Sequence, residues 1–187
     1  MKKFELTNEF ITNMFGTKLF RIRALVEFGD VEAGELGGYV EKESNLGHDD
    51  NAWVYDNAWV YGNARVCGDA QVSGDALVYG NARVYGNALV YDNAWVYGNA
   101  RVCGDARVCG DARVCGNGDY AYAHGFGSVN RTTTFFRLKD GGVGVRCGCF
   151  YGTLAQFRDK IRETHGETKK AQEYLMLADL MKLRFEK

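Results

Sequence analysis

Residues Ala52 to Asn117 repeat every six residues: AWVYDN AWVYGN ARVCGD AQVSGD ALVYGN ARVYGN ALVYDN AWVYGN ARVCGD ARVCGD ARVCGN. Eleven hexads follow one another without an insertion, each with the pattern Ala-x-Val-(Tyr/Cys/Ser)-(Gly/Asp)-(Asn/Asp). A fixed period of this kind is typical of repeat proteins, in which every unit adopts the same local structure. The sequence therefore predicts one short structural unit per hexad.

The Ala and the Val of each hexad are two positions apart. An extended chain points both of them to one side, and it points the x and Tyr/Cys positions to the other side. We therefore expect Ala and Val to form the core. The Gly-Asn, Gly-Asp or Asp-Asn pair that follows supplies residues that tolerate a positive φ, which a tight corner requires. Each hexad is then one short strand and one corner.

A chain that turns the same way after every hexad closes a triangle after three hexads, so three hexads make one coil. Parallel strands of neighbouring coils pair at a spacing of about 4.8 Å. The eleven hexads therefore make between three and four coils, close to 3.7. The sequence predicts a mainly β protein built on a parallel β-helix of about 3.7 regular coils.

The composition excludes several classes of protein. The 187 residues include 24 glycines and no proline, and 23 basic residues against 24 acidic ones give a net charge of -1. This near balance argues against a basic nucleic-acid binder and against an acidic disordered tail. No apolar run reaches the roughly 18 residues of a membrane span, and the N-terminus turns polar before a secretory signal can form. We expect a soluble cytoplasmic protein with neither membrane nor nucleic acid as its partner.

The hexads resemble those of hexapeptide-repeat proteins, in which an aliphatic residue is followed four positions later by a small one, as Val54 is by Ala58. This resemblance implies a left-handed coil, which is an exception to the right-handed crossover rule. The period alone does not give the hand. The flanking segments 19–25, 36–43 and 148–154 resemble uncharacterised hexapeptide-repeat proteins of phages and prophages. That resemblance brings no established activity and implies action in the host cytoplasm.

A β-helix exposes unpaired strand edges at both ends and needs caps. We predict an N-terminal β cap in residues 1–39, the hexapeptide-repeat β-helix in residues 40–118 and a C-terminal cap in residues 119–187. The N-terminal cap contains a strand-like run from Lys18 to Phe28, followed by glycine-rich turns.

The C-terminal cap is predicted to contain a β-hairpin and two helices. Thr132 to Leu138 and Val143 to Phe150 form the hairpin around a Lys-Asp-Gly-Gly turn. Thr153 to Gln156 has the capping-box spacing that begins a helix. A second helix with one apolar side follows from about Lys169.

The six cysteines do not form a recognisable metal or disulfide framework. Cys103, Cys109 and Cys115 fall on three different faces, and Cys67 lies two coils from Cys103, beyond disulfide reach. We interpret the cysteines of the hexads as reduced thiols. We predict neither a metal site nor a cofactor.

The three histidines bear on catalysis. Transferases of the hexapeptide class, which the repeat resembles, commonly use a histidine base between the subunits of a trimer. His48, His124 and His165 all lie outside the regular hexads. We therefore predict no catalytic residue, and an acyltransferase-like enzyme with His48 or His124 in an inter-subunit groove remains the alternative.

The outward positions, taken one coil apart, differ from face to face. One set, which we call the aromatic face, comprises Trp59, Tyr61, Leu77, Tyr79, Trp95 and Tyr97. One interpretation is that these side chains only stabilise neighbouring strands through cross-strand contacts. The other is that they are buried against a partner, because large apolar patches rarely stay exposed. We predict that this face forms a homo-oligomer interface.

A second set of outward positions, which we call the Arg ladder, consists of Arg65, Arg83 and Arg101. In one interpretation the ladder is a solvated face whose guanidinium groups pair with corner acids such as Asp69 and Asp105. In the other it binds phosphates or an acidic protein surface. We predict that it binds an anion.

These features predict a non-enzymatic phage or prophage accessory protein. It binds a host protein or an anionic signalling molecule on a rigid β-helix scaffold, for instance in counter-defence. This prediction rests on the resemblance and on the lack of a catalytic constellation in the sequence. A purely structural module that stacks end to end is the remaining alternative, and the two caps argue against it.

Overall fold

The computed structural model describes residues 2–127, 129 and 131–186. Three strands come first: β1 (Phe4–Thr12), β2 (Lys18–Ala24) and β3 (Leu36–Val40). β1 and β2 pair antiparallel, as do β2 and β3. A 3-10 turn at Glu43–Asn45 then leads into the repeat.

The repeat forms a parallel β-solenoid of about four coils, as its period predicts. Each hexad contributes one short strand. The strands are β4 (Trp53–Val54), β5 (Trp59–Val60), β6 (Arg65–Val66), β7 (Gln71–Val72), β8 (Leu77–Val78), β9 (Arg83–Val84), β10 (Leu89–Val90), β11 (Trp95–Val96), β12 (Arg101–Val102), β13 (Arg107–Val108) and β14 (Arg113–Val114).

The coils stack into three sheets. The first has the order β1-β2-β3-β5-β8-β11-β14, so the N-terminal hairpin extends one wall of the solenoid through β3. The second sheet is β13-β10-β7-β4, and the third is β12-β9-β6. Within the repeat, each strand pairs with the strand three hexads away, so equivalent hexad positions align in columns, as Val60 does with Val78.

The core is made of the inward Ala and Val columns. All of these side chains are at most 1% exposed, which confirms the predicted division between inside and outside. The corners use residues with a positive φ, mostly glycine. At Gly86, for example, φ is +69°, and a Cβ atom would lie 3.1 Å from the backbone nitrogen of Gly104 in the next coil. The corner therefore needs glycine both for its conformation and for the close approach of the coils.

The N-terminal end of the solenoid is closed by side chains from the segment that precedes β3. The rings of Phe4 and Phe28 pack against Trp53 at centroid distances of 6.2 and 5.3 Å. The hexad pattern placed Trp53 on the outside of the coil, yet it is fully buried because these two rings cover it. The strand β1 was not predicted either, because only the run from Lys18 has a strand-like sequence in this cap.

The C-terminal end is closed by a four-stranded antiparallel sheet of β15 (Tyr120–Phe126), β16 (Arg131–Arg137), β17 (Val143–Cys147) and β18 (Phe150–Thr153). The predicted hairpin is β16 and β17, and a further strand flanks it on each side. Phe136 joins the core of the solenoid, whereas its neighbour Phe135 joins a second core under the helices. This sheet therefore covers the last coil with one side and carries the helices on the other.

Two helices complete the fold, α1 (Leu154–His165) and α2 (Lys169–Phe185). Thr153 and Gln156 form the predicted capping box of α1. Phe157 of α1 packs edge-on against Tyr174 of α2, with ring centroids 5.8 Å apart. Neither helix is both long and apolar enough to cross a membrane.

Candidate binding faces

The aromatic face is assembled by strand register. Trp59, Leu77 and Trp95 align on β5, β8 and β11. Beside them, the rings of Tyr61, Tyr79 and Tyr97 form a stacked ladder. Successive centroids of this ladder are 5.1 and 5.2 Å apart, with interplanar angles of 4° and 8°. Five of the six side chains are half-buried, and Trp95 is 36% exposed.

Guanidinium groups flank the aromatic face at both ends. At the C-terminal end, the guanidinium of Arg113 lies 4.1 Å from the ring centroid of Trp95. At the N-terminal end, β3 continues the column with Tyr39, and Arg21 lies 5.1 Å from the centroid of that ring. The Tyr39 hydroxyl donates to the Glu9 carboxylate at 3.1 Å. The face is therefore an uncharged strip between a mixed Arg–Glu end and an Arg end.

The Arg ladder is also assembled by register. Arg65 pairs with Arg83, and Arg83 pairs with Arg101, on the third sheet. All three side chains are exposed. Within residues 2–127, 129 and 131–186, their guanidinium groups make neither a hydrogen bond nor an ion pair.

The corner acids of the described residues form no ion pair with the Arg ladder. The Asp69 carboxylate accepts a hydrogen bond from the side-chain amide of Asn51 at 2.8 Å. The Asp105 carboxylate accepts one from Asn87 at 2.9 Å. These corner acids are part of vertical polar ladders, because each bond joins equivalent positions of neighbouring coils. The proposed pairing of the guanidinium groups with Asp69 and Asp105 is wrong for this structure.

The three histidines are not assembled into one site: His48 precedes the first hexad and packs on the N-terminal cap, whereas His124 and His165 lie in the C-terminal cap. His48 stacks on Phe4 with a centroid distance of 4.4 Å, and its Nδ1 accepts the backbone N–H of Lys3 at 3.2 Å. His124 Nδ1 is 2.9 Å from the Thr132 hydroxyl on the neighbouring strand. His165 ends α1. The contacts of His48 give it a structural role in closing the N-terminal cap.

The cysteines are all free thiols. Cys109 is buried beneath the C-terminal cap, and burial raises the pKa of its thiol, which disfavours the nucleophilic thiolate. Across the described part of the chain, no group of three or more His, Cys, Asp or Glu side chains is placed to hold a metal ion.

One polar cluster in the structure was not predicted from the sequence. Arg107 of the second sheet and Arg146 of β17 line a common groove with Gln71, Ser73, Leu89 and Tyr91. We call this cluster the polar groove. The hexad period places Arg107 on an outward column, but nothing in the sequence indicates that the cap brings Arg146 beside it.

Comparison with known proteins supports the solenoid fold of the coils. Residues 70–84, 82–98 and 94–110 match the YdcK beta solenoid repeat. The hexads are β-solenoid repeats. These matches cover the middle coils and leave both caps outside. A comparison with curated proteins gives no match.

Proposed function

We propose that the protein is a non-enzymatic binding scaffold that recognises an acidic surface of another protein through the Arg ladder. One observation carries this proposal: three exposed guanidinium groups stand in register, without an ion pair to any described residue. Adjacent like charges repel one another, so their alignment is a cost to the isolated protein. An anionic partner would relieve that cost with charge-assisted hydrogen bonds.

The shape of the ladder favours a protein over a small molecule. The three arginines belong to successive coils, so they rise in a row at steps of about 4.8 Å. They project from the short strands of one sheet and are exposed. An exposed row of this kind suits carboxylates spread over a surface.

The proposal includes the biological setting that the sequence resemblance implies. We propose a left-handed hexapeptide-repeat solenoid encoded by a phage or prophage. It acts in the host cytoplasm by binding a host protein, with counter-defence as the process served. The resemblance of segments 19–25, 36–43 and 148–154 to phage-encoded proteins supports this setting.

A capture experiment tests the proposed function. The wild-type protein and the Arg83→Glu variant are immobilised and exposed to lysate of the bacterial host, and retained proteins are identified by mass spectrometry. Arg162→Glu is the control, because Arg162 is an exposed arginine on α1. The proposal expects a host protein that is retained by the wild type and the control, lost with Arg83→Glu and released by salt. Equal retention by all three forms would contradict it.

We further propose that the aromatic face binds a second copy of this chain. Leu77 is the middle residue of the column that runs from Tyr39 to Arg113. A two-fold axis near Leu77 would bring the Arg113 end of one copy to the Glu9 end of the other. At each edge, Arg113 of one copy would then face the Arg21–Glu9 ion pair of the other, in which the nitrogen and the oxygen are 3.8 Å apart. The centre between the edges is uncharged, and the same patch serves both copies, which is the pattern of a self-complementary interface.

A further inference from the structure

The polar groove is a concave site of about 280 Å³ on the second face of the solenoid, beside the C-terminal cap. Five of its lining side chains come from the coils, and Arg146 comes from the cap. It is separate from both the Arg ladder and the aromatic face, since it shares no residue with either.

The fold holds the two arginines of the groove together through Thr134. The buried Thr134 hydroxyl accepts the backbone N–H of Arg107 at 2.9 Å. Thr134 also stands opposite Arg146 in the register of β16 and β17. Thr134 of the cap therefore binds the backbone of Arg107 and is the strand partner of Arg146, so it fixes the two arginines relative to each other.

The positive charge of the groove is not compensated by its lining, which contains no carboxylate. The guanidinium of Arg146 lies 6.0 Å from the ring centroid of Tyr91 and donates to the backbone carbonyl of Cys149 at 3.5 Å. Its Nε is buried without a partner among the described residues. The side chain of Arg107 makes no hydrogen bond or ion pair within the described ranges. Asp92, at the adjoining corner, is engaged by a backbone N–H of the next coil.

The remaining lining adds neutral hydrogen-bond donors. The amide of Gln71 and the hydroxyl of Ser73 line the groove, and within the described residues neither makes a hydrogen bond. Burial raises the pKa of Tyr91, so its hydroxyl stays neutral and does not repel an anion. Two guanidinium groups with an amide and a hydroxyl offer more donors than the two oxygens of a carboxylate can use. A phosphate monoester has three terminal oxygens and suits this set.

We propose that the polar groove binds the phosphate group of a small phosphomonoester, with Arg107 and Arg146 as its charged ligands. A volume of about 280 Å³ is just below the range of pockets that bind drug-sized ligands. The groove therefore accommodates a phosphate group with a short appended fragment. The site is independent of the Arg ladder, so each can be tested without the other.

Calorimetric titration tests this site with three probes at constant ionic strength: glycerol 3-phosphate, inorganic phosphate and acetate. The expected order of affinity is glycerol 3-phosphate, then inorganic phosphate, with acetate much weaker. Arg107→Gln and Arg146→Gln should each weaken the phosphomonoester by about tenfold or more, because each removes a charged hydrogen-bond donor. Arg162→Gln, an exposed arginine on α1, should bind like the wild type.

Several outcomes would overturn the proposal. These are no phosphomonoester binding by the wild type, acetate binding as tight as the phosphomonoester, and unchanged affinity in both groove variants. Equal loss in Arg162→Gln would show a general charge effect and would also overturn it. Arg107→Gln alters an exposed side chain, and an unchanged melting temperature without ligand separates its loss of binding from misfolding.

Discussion

The carboxylate of Asp92 accepts a hydrogen bond from the backbone N–H of Gly110, one coil further along the solenoid, at 3.1 Å. Asp92 has a φ of +58°, in the left-handed region that the other corners mostly give to glycine. Asp56 repeats the relationship with Gly74 at 3.0 Å, and its φ is +54°. At this corner aspartate and glycine alternate, and each aspartate joins its own coil to the next.

This relationship predicts that Asp92→Ala is more destabilising than Asp92→Gly. Alanine keeps the left-handed strain of about 1–2 kcal/mol and loses the hydrogen bond, whereas glycine loses the bond but relieves the strain. We expect a loss of about 1–3 kcal/mol for alanine and under about 1 kcal/mol for glycine, measured by urea unfolding. Equal stability of the two variants would show that the positive φ of Asp92 carries no strain.

The core assignment predicts opposite outcomes for two neighbouring substitutions. Val84 is fully buried, so Val84→Asp places an unpaired charge in the core and should cost more than about 3 kcal/mol. Arg83 points outward and is exposed, so Arg83→Asp should stay within about 1 kcal/mol of the wild type. Thermal unfolding compares the two. Similar melting temperatures for both variants would contradict the assignment of Val84 to the core and Arg83 to the surface.

Lys3 predicts a specific pH dependence of stability. Its ammonium donates to the backbone carbonyls of Asp50 and Ala52 at 2.6 and 2.8 Å, and burial lowers its pKa from 10.5 to about 8. Between these two pH values the unfolded chain holds a proton that the folded chain has lost. Because the unfolded state binds more protons in this range, the free energy of unfolding rises with pH.

The stability of the wild type relative to Lys3→Met should therefore rise by about 1–2 kcal/mol between pH 8 and pH 9.5. Taking the difference in unfolding free energy between the wild type and Lys3→Met cancels the contributions of other titrating groups. Lys2→Met is the control, because Lys2 lies at the surface beside Glu43. A difference between the wild type and Lys3→Met that does not change with pH would mean that the buried ammonium is not destabilised.

The aromatic face predicts a change of oligomeric state. The double variant Trp59→Ala, Trp95→Ala should convert a dimer to a monomer without unfolding it, because central aromatic anchors contribute about 2 kcal/mol or more each. Leu89→Ala on the second sheet is the matched control and should remain dimeric. Light scattering at micromolar concentration measures the mass. A monomeric wild type would contradict the self-association proposal, and the aromatic face would then be a candidate surface for binding a different protein.

The coils could be predicted from sequence because each hexad encodes its own strand and corner. Columns such as Val60 over Val78 then follow from the period alone. The closures of the two ends depend on contacts between distant segments, which no local pattern shows. The burial of Trp53 required Phe4 and Phe28 to fold over it, and of the nine residues of β1 only Phe4 is buried, so this strand has no apolar face that a sequence pattern could reveal.

For the candidate binding faces, too, the repeat predicts the positions within the coils but not the contacts between distant segments. The register of the Arg ladder follows from the period, whereas the partners of the corner acids do not. Asp69 and Asp105 bond to asparagines of neighbouring coils, which requires knowing how the corners stack. The meeting of Arg107 and Arg146 depends on how the cap docks on the last coils, and Thr134 gives no sign of that contact in the sequence.

The role of the Arg ladder in binding is measured by the dissociation constant of the captured host protein for each ladder variant. Arg65→Glu, Arg83→Glu and Arg101→Glu are measured with purified components at low and high salt, with Arg162→Glu as the control. We expect binding to be at least about tenfold weaker for each ladder variant, with the largest loss at Arg83 and a weaker salt dependence than the wild type shows. Unchanged affinity in all three ladder variants would contradict it.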